Sequence, residues 1–374
     1  MRRTDTLIAG GGPAGAAAAI ELARAGRRPL LLEREHEPRD IVCGGFMGWD
    51  TLAQLDTLGI DISALGARPI GHVRLISRDR QIVAGLPHRA VGLSRRTLDR
   101  AMLDRAINAG ATIERGVRLR NANGPSLTAT LGDGAELHCN ALFLATGKHD
   151  LRGLPRLHDR EPASLAIGFR TALTVSPAEQ RALEGVIELH LFDGGYAGVL
   201  LQEDGCANLC LSVSPERLDG RRADALIADL AIEAPMLAAR YGDASAHSGW
   251  SAIAGVPYGW RESRTASGIF RIGDQAAVIA SLAGDGIGIA LSSGREAALC
   301  YLRDGPAGAG AFQAGVARRS AFPLAIAGGL KAIAEQHPRL RSSLLSLLGH
   351  APALAALGAR LTRAGTMRNR SPHH

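Results

Sequence analysis

The feature that most constrains this chain is the unit that opens it. Thr6-Leu7-Ile8-Ala9 is a short apolar run, and Gly10-Gly11-Gly12-Pro13-Ala14-Gly15 follows at once. An alanine-rich helical stretch comes next, then Pro29-Leu30-Leu31-Leu32-Glu33-Arg34. Strand, glycine turn, helix, second strand and terminal acid stand in the order of a βαβ dinucleotide fingerprint. Gly10 permits the tight turn, Gly12 lets backbone approach a pyrophosphate, and Gly15 lets the helix lie close to the strand. Pro13 and Ala14 begin that helix, whose free amides and positive dipole end favour phosphate. Glu33 lies 18 residues after Gly15, where a carboxylate accepts from a ribose diol. A three-glycine turn alone would say little. The complete ordered unit says a great deal.

A chain of 374 residues exceeds the usual single core, which predicts two lobes or one α/β body with an insertion. Met1-Arg2-Arg3 and the apolar stretch after it imitate a signal peptide, but the fingerprint accounts for that stretch, so export is not expected. Cys43, Cys139, Cys206, Cys210 and Cys300 are scattered and lack metal-ligand spacing, so no metal is expected and a reduced cytoplasmic setting fits them. The net charge of +7 is concentrated at the end. After residue 317, Arg318, Arg319, Lys331, Arg339, Arg341, Arg360, Arg363, Arg368 and Arg370 face a lone acid, Glu335. No aromatic interleaving accompanies these cations, which argues against nucleic acid. An anionic membrane surface or an acidic carrier protein is the partner they suggest, against an ordinary solvated helical face.

Patterning predicts a helix over 49–58, a hairpin over 71–86 and a helix over 94–109 stopped by Gly110. Short strands are expected at 111–121, 126–131 and 135–139, and a separate buried strand at 141–145 ends in Thr146-Gly147. Alternating segments at 164–173, 185–192, 196–202 and 206–213 predict an antiparallel sheet, and 223–240 one or two helices. A buried strand returns at Ile269–Gly273, followed by Asp274, a glycine-rich turn and a helix near 285–302. Pro323, Pro338 and Pro352 are expected to punctuate a helical tail. The fold expected is therefore α/β: a Rossmann-like domain of the glutathione reductase type with an inserted antiparallel sheet and a helical C-terminal tail. Residues 1–70, 91–157 and 268–305 would form the discontinuous nucleotide-binding domain. Residues 71–90 and 158–267 would form the second domain, and 306–374 the tail.

The combination resembles the p-hydroxybenzoate hydroxylase-like flavoproteins, and within them the geranylgeranyl reductase family and its hydroxylase-like relatives found beside type III polyketide synthases. Four stretches beyond the fingerprint carry the resemblance. Val42-Cys43-Gly44-Gly45-Phe46 matches a Cys-Gly-Gly turn after the second strand. Leu93-Ser94-Arg95-Arg96-Thr97-Leu98-Asp99 matches an Arg-x-x-Phe/Leu-Asp signature, which implies that Arg95 meets the diphosphate or ribityl region of FAD. Gly273-Asp274 matches a pair that binds the ribityl chain, and Gly284-Asp285-Gly286-Ile287-Gly288 a run whose amides face the flavin pyrimidine edge. Gly194-Gly195-Tyr196-Ala197-Gly198-Val199 is similar to the Gly-Tyr-Gly-Trp segment of the reductases, with the tryptophan missing.

Departures accompany these matches. The Asp-Gly motif implicated in NADPH binding is replaced by Ala145-Thr146-Gly147-Lys148-His149-Asp150, and the proline before the Gly-Asp-Gly turn by Ala280-Ser281. No halogenase-type Trp-x-Trp-x-Ile-Pro segment is present.

The resemblance implies FAD as cofactor, with NADPH or NADH as electron donor, and a hydrophobic small-molecule substrate. Its cofactor set is Gly10, Gly12, Pro13, Ala14, Gly15, Glu33, Arg34, Cys43, Gly44, Gly45, Arg95, Thr146, Gly147, Gly273, Asp274, Gly284, Gly286 and Ile287. Monooxygenation of an aromatic or polyketide-like molecule is the reading preferred here. A reductase saturating alkenes of a lipid-like substrate is the alternative, and a non-catalytic electron-relay protein the third. Tyr196, His190 and Cys43 are catalytic candidates, with Tyr258 and His149 as further groups able to exchange protons. For Cys43 a packing role is favoured over a redox one. Phe46, Tyr196, Tyr258, Trp250 and Trp260 are candidate walls of the substrate cavity. The cysteines and the absence of an export signal suggest the cytoplasm, and the basic tail a position peripheral to a membrane.

Overall fold

A computed structural model describes residues 2–123, 127–157 and 165–365. The chain opens with strand β1 (Arg2–Ala9), helix α1 (Pro13–Arg24), β2 (Leu30–Glu33), a short β3 (Phe46–Met47) and α2 (Trp49–Thr57). A long hairpin, β4 (Arg68–Ser77) and β5 (Arg80–Gly92), leads to α3 (Arg95–Ala109). Then come β6 (Thr112–Arg115), β7 (Leu119–Asn123), β8 (Thr128–Leu131) and β9 (Glu136–Leu144). The inserted region comprises β10 (Ala166–Thr174), α4 (Pro177–Leu183), β11 (Gly185–Phe192), β12 (Gly195–Leu201), β13 (Ala207–Val213) and α5 (Pro215–Leu218). It continues through α6 (Ala223–Asp229), α7 (Pro235–Gly242), β14 (Ala246–His247) and β15 (Ser251–Val256). The chain returns through β16 (Ile269–Arg271) and α8 (Gly286–Asp304) to α9 (Ala309–Gln336), α10 (Pro338–His350) and α11 (Ala353–Leu361).

Two sheets organise these elements. In the first, β6, β2, β1 and β9 are parallel neighbours, and β16 lies parallel to the C-terminal half of β9. The β7–β8 ribbon continues antiparallel from the other half of β9. Leu7 and Ile8, Leu30–Leu32 and Ala141–Leu144 are buried on both faces, as a covered parallel sheet requires. Helix α1 lies between this sheet and α8, its alanines fully buried against both. The second sheet runs β14-β10-β13-β12-β11-β4-β5-β3, with β15 beside β10.

The structure corrects several expected boundaries. The strands expected at 135–139 and 141–145 are one strand, because β1 pairs with β9 from Leu137 to Leu144 without interruption. The second sheet is mixed: β4 and β11 run parallel, so the early hairpin joins the insertion side by side. That hairpin spans 68–92 rather than the expected 71–86, and Phe46–Met47, expected in the nucleotide-binding domain, pairs with it. Pro323 does not break the tail, since α9 passes through it. Pro323, Leu324 and Ala327 are buried, and that packing offsets the hydrogen bond the proline removes. The expected boundary at residue 158, and Arg368 and Arg370, lie outside the described residues.

Backbone contact between helices depends on missing side chains. A β-carbon at Gly294 of α8 would overlap the carbonyl oxygen of Ala14 in α1. Overpacking of this kind costs roughly 1–3 kcal/mol. Gly294→Ala should therefore destabilise the protein by about that amount, read as a lowered denaturant midpoint with unchanged slope.

Candidate functional site

The glycine turn after β1 is fixed by close approach. Gly10 has φ +111°, and a side chain there would strike the Ala145 carbonyl at the end of β9. Gly15 packs directly on the Gly10 carbonyl oxygen. The N-cap of α1 is Gly12, which provides no side-chain cap, so the first amides of the helix remain available. Glu33 ends β2 and accepts from the Gly11 amide at 2.7 Å and the Glu35 amide at 2.9 Å. Arg95, at the start of α3, donates twice to Asp99, at 2.9 and 2.8 Å. Burial pushes the Asp99 carboxyl above its ordinary range, against the pull of Arg95.

The turn after β9 meets the turn after β16. Gln275, fully buried, donates to the carbonyls of Gly147 and His149 at 2.9 and 3.0 Å. Lys148 faces Asp274 at 3.3 Å, and that carboxylate raises the lysine's affinity for its proton. Arg156 donates to Asp150 and to the Lys148 carbonyl, both at 2.6 Å. Asp150 is therefore already engaged. His149 contacts Arg34 at 3.1 Å, and burial, helped by surrounding cations, lowers its basicity.

The Cys43–Gly45 turn hangs from the second sheet. Asn208 of β13 donates to the carbonyls of Cys43 and Gly44 at 3.1 and 2.9 Å. Arg170 of β10 holds Asn208 at 2.7 Å and reaches Asp40 at 3.1 Å. Nothing in the local sequence around Cys43 signals these partners, which join it only through the sheet.

Asp285 is the N-cap of α8 and is fully buried. It accepts from the amides of Ala364 and Gly365 at 2.6 and 3.1 Å and from Arg363 at 3.3 Å. Arg363 also lies 3.8 Å from the buried Asp50 and 4.7 Å from the centre of the Trp49 ring. One guanidinium thus serves two buried carboxylates. Burial and the Asp50 charge raise the Asp285 pKa from 3.8 to about 7.

All these turns open on one cavity of about 1440 Å³. Drug-sized ligand pockets span roughly 300–1,000 Å³, so there is room for a dinucleotide and a second molecule. Of the cofactor residues expected from sequence, all but Gly15 line it, and Gly15 instead supports the turn. Phe46, Tyr196, Tyr258, Trp250 and Cys43 line it too. Two expected residues do not. Trp260 faces away, donating to the Leu157 carbonyl at 2.8 Å beneath Arg156. His190 is buried behind the sheet, 3.1 Å from Glu188, because β-strand alternation sends Leu189 and Leu191 into the cavity instead. Helices α9 to α11 supply walls that the sequence did not assign, among them Leu330, Leu345 and Leu348.

Comparison with known proteins agrees with this geometry. The FAD binding domain family matches residues 3–147. A menaquinone reductase of Mycobacterium tuberculosis (strain ATCC 25618 / H37Rv) is 30% identical over 322 residues, covering 79% of this chain and 75% of the relative. This chain belongs to the family of FAD-dependent oxidoreductases that includes this relative. A chloroplastic geranylgeranyl diphosphate reductase of Nicotiana tabacum is 28% identical over 51% of this chain and 44% of its own. Among solved structures, a geranylgeranyl bacteriochlorophyll reductase-like protein from Thermoplasma acidophilum superposes with TM-score 0.72 at 17% identity, covering 96% of both chains. A probable FAD-dependent monooxygenase from Pseudomonas aeruginosa gives TM-score 0.69 at 17% identity, covering 92% of this chain and 100% of that one. These last two likenesses concern the fold.

FAD is the cofactor of this oxidoreductase. The cradle fits it: the first turn excludes side chains, two helix N-termini lack side-chain caps, and Arg95, Glu33 and Asp274 stand at the cavity wall.

Asp285 also sets a pH dependence. A carboxyl whose pKa is raised on folding contributes stability that is complete below about pH 4 and lost as pH rises through about 7. The Asp285 contribution to thermal stability should fall between about pH 4 and 7, and Asp285→Asn should flatten that slope. An unchanged slope in the variant would remove Asp285 as its source.

Proposed function

We propose that this chain is a flavin-dependent reductase that saturates a carbon–carbon double bond of a long, isoprenoid-like substrate. The observation that carries the reading is the chamber beyond the glycine turns. Val73, Leu75 and Leu86 of the early hairpin, Leu189 and Leu191 of β11 and Leu345 and Leu348 of α10 line it. Each methylene buried against such walls is worth about 0.8 kcal/mol, so a long chain gains most from them. A compact aromatic would leave much of this surface uncovered. Menaquinone and geranylgeranyl diphosphate, in the names of the similar reductases, both carry isoprenoid chains.

In this reading the first turn and Arg95 hold the pyrophosphate, Glu33 a ribose, Asp274 the ribityl chain, and Gly284–Ile287 the pyrimidine edge. Reduced FAD supplies hydride, and NADPH or NADH is the donor that reduces it. The chain's own residues exclude water, orient the alkene and deliver a proton. Tyr196, whose phenol is kept protonated chiefly by burial, faces that compartment.

Hydroxylation, the preference from sequence, makes the opposite demand on oxygen. The protein is reduced with dithionite under argon and given geranylgeranyl diphosphate or menaquinone. Reoxidation without oxygen, with product gaining two hydrogens per bond, is expected. Product formed only in air, and carrying new oxygen, would overturn the reductase reading.

The partner of the tail is an anionic lipid surface in this proposal. Helices α10 and α11, bent by 118°, contain no acid. Leu340, Leu347, Leu357 and Leu361 are exposed on them beside Arg339 and Arg360, while their other face lines the chamber. No single described helix is long and apolar enough to cross a membrane. Apolar surface flanked by arginine suits interfacial docking. Flotation with phosphatidylglycerol vesicles should exceed that with phosphatidylcholine, fall with salt, and be lost in Leu347→Glu/Leu357→Glu. Equal flotation of the double variant would refute it.

A further inference from the structure

A cluster of three hydroxyls interrupts the apolar chamber. Tyr196 projects from β12, Tyr258 from the segment after β15, and Ser281 from the single 3-10 turn that precedes Gly284. All three line the cavity. The Tyr196 hydroxyl donates to Ser281 Oγ, and the Tyr258 hydroxyl lies 2.7 Å from the same oxygen. Leu189, Leu191 and Leu282 surround the Tyr196 side of the cluster. The cluster stands three residues before the Gly284 turn, whose backbone packs against Phe46.

The direction of the bonds follows from elementary chemistry. A serine hydroxyl has two acceptor positions and one hydrogen. Tyr196 donates to Ser281. The Tyr258–Ser281 contact admits either direction, and Tyr258 also meets Ser212. A phenol is the stronger donor of the two hydroxyl types, so Tyr258 is assigned as the donor to Ser281. Its acceptor positions are then filled, and its own hydrogen must point elsewhere. Ser281 is exposed toward the cavity, so that hydrogen points at whatever the chamber holds. Two donors polarise the Ser281 O–H bond and make it a better acid than an isolated alcohol.

We infer that Ser281 hands the proton to the substrate, with Tyr258 and Tyr196 as the hydroxyls that replace it. The inference rests on the reductase reading above. In the step, bound reduced FAD would supply the hydride for one C–H bond as the alkene π bond breaks. The Ser281 proton forms the second C–H bond on the adjoining carbon. Ser281 Oγ takes the Tyr258 proton in the same movement, so no isolated alkoxide is left. Burial raises the Tyr258 pKa, so its phenolate is only a passing state. The Ser281 hydrogen bond and the Lys148 charge pull the other way, and the Lys331 ammonium lies 5.6 Å from the ring centre. Lys331 is paired with Glu335 at the wall of α9 and is partly open to water, the final source of the proton.

The test uses the full-length FAD-loaded protein and the variants Ser281→Ala, Ser281→Thr and Tyr258→Phe. FAD content and melting temperature establish that each variant folds. Protein reduced under argon is mixed with geranylgeranyl diphosphate or menaquinone, and flavin reoxidation is followed in H2O and D2O. Loss of a positioned proton donor typically slows a reaction by about 10²–10⁴-fold. Ser281→Ala should show that loss in the transfer rate with little change in half-saturation. Ser281→Thr should restore most of the rate, and Tyr258→Phe should reduce it and alter the solvent isotope effect. Ferricyanide, which takes electrons without a proton to carbon, should reoxidise every variant as fast as wild type. The alkaline absorbance titration of tyrosine should change in Ser281→Ala without any turnover. If Ser281→Ala transfers hydrogen at the wild-type rate with an unaltered isotope effect, the proton role is wrong and the reductase reading stands. If wild type transfers hydrogen to neither probe but reacts with ferricyanide, the reductase reading itself fails and the proton role falls with it.

Discussion

Everything at this site depends on backbones that touch where side chains would collide. Gly10 crosses the end of β9, Gly15 rests on Gly10, and Gly294 rests on Ala14. These contacts lock β1, α1 and α8 into one unit, although α8 is far away in sequence. As a result two helix N-termini open on the same cavity, and each offers amides that its own chain leaves uncapped. Negative charge on a dinucleotide is thereby met by fixed dipoles rather than by mobile side chains. Preorganisation of this kind follows from tight packing and requires little further adjustment on binding.

The second lobe is tied to that unit by buried polar contacts rather than by hydrophobic contact alone. Arg170, Asn208, Gln202 and Asp40 form a chain of bonds that ends on the Cys43 and Gly44 carbonyls. A buried guanidinium is costly unless its donors are satisfied, and this network does so by fixing the turn. The reactive side of the cavity is therefore held from both sheets. The second sheet sets the position of Cys43–Gly45, and the first sheet sets the turns at Gly147 and Gly273.

The fold was legible where local constraint dominates. The glycine fingerprint and Gly110 as the stop of α3 report geometry that depends on near neighbours. The sequence was silent where pairing is distant. Whether β4 would join β11, and in which direction, depends on contacts more than a hundred residues apart. His190 shows the same limit at the level of one side chain. Its residue type suggests chemistry, but strand parity turns it toward Glu188, a carboxylate that also binds Arg240, rather than the chamber. Ser281 is the converse. Its sequence context marked it as a departure from the family, and only tertiary contact brings it between two tyrosines.

The basic tail illustrates why charge counted along a sequence misleads. Arg319 pairs with Glu296, Arg341 with Asp193, and Arg363 with Asp285 and Asp50. Lys331 pairs within its own helix, to Glu335. These carboxylates, apart from Glu335, come from the body, so much of the tail's charge fastens it there instead of facing outward. Arg341 and Arg363 are buried, and they frame the stretch of α10 and α11 that roofs the chamber. Between these two anchors the roof carries leucine on both faces. Fixed ends with an apolar span between them let the helices wall the cavity on one side while Leu340, Leu347, Leu357 and Leu361 stay exposed on the other.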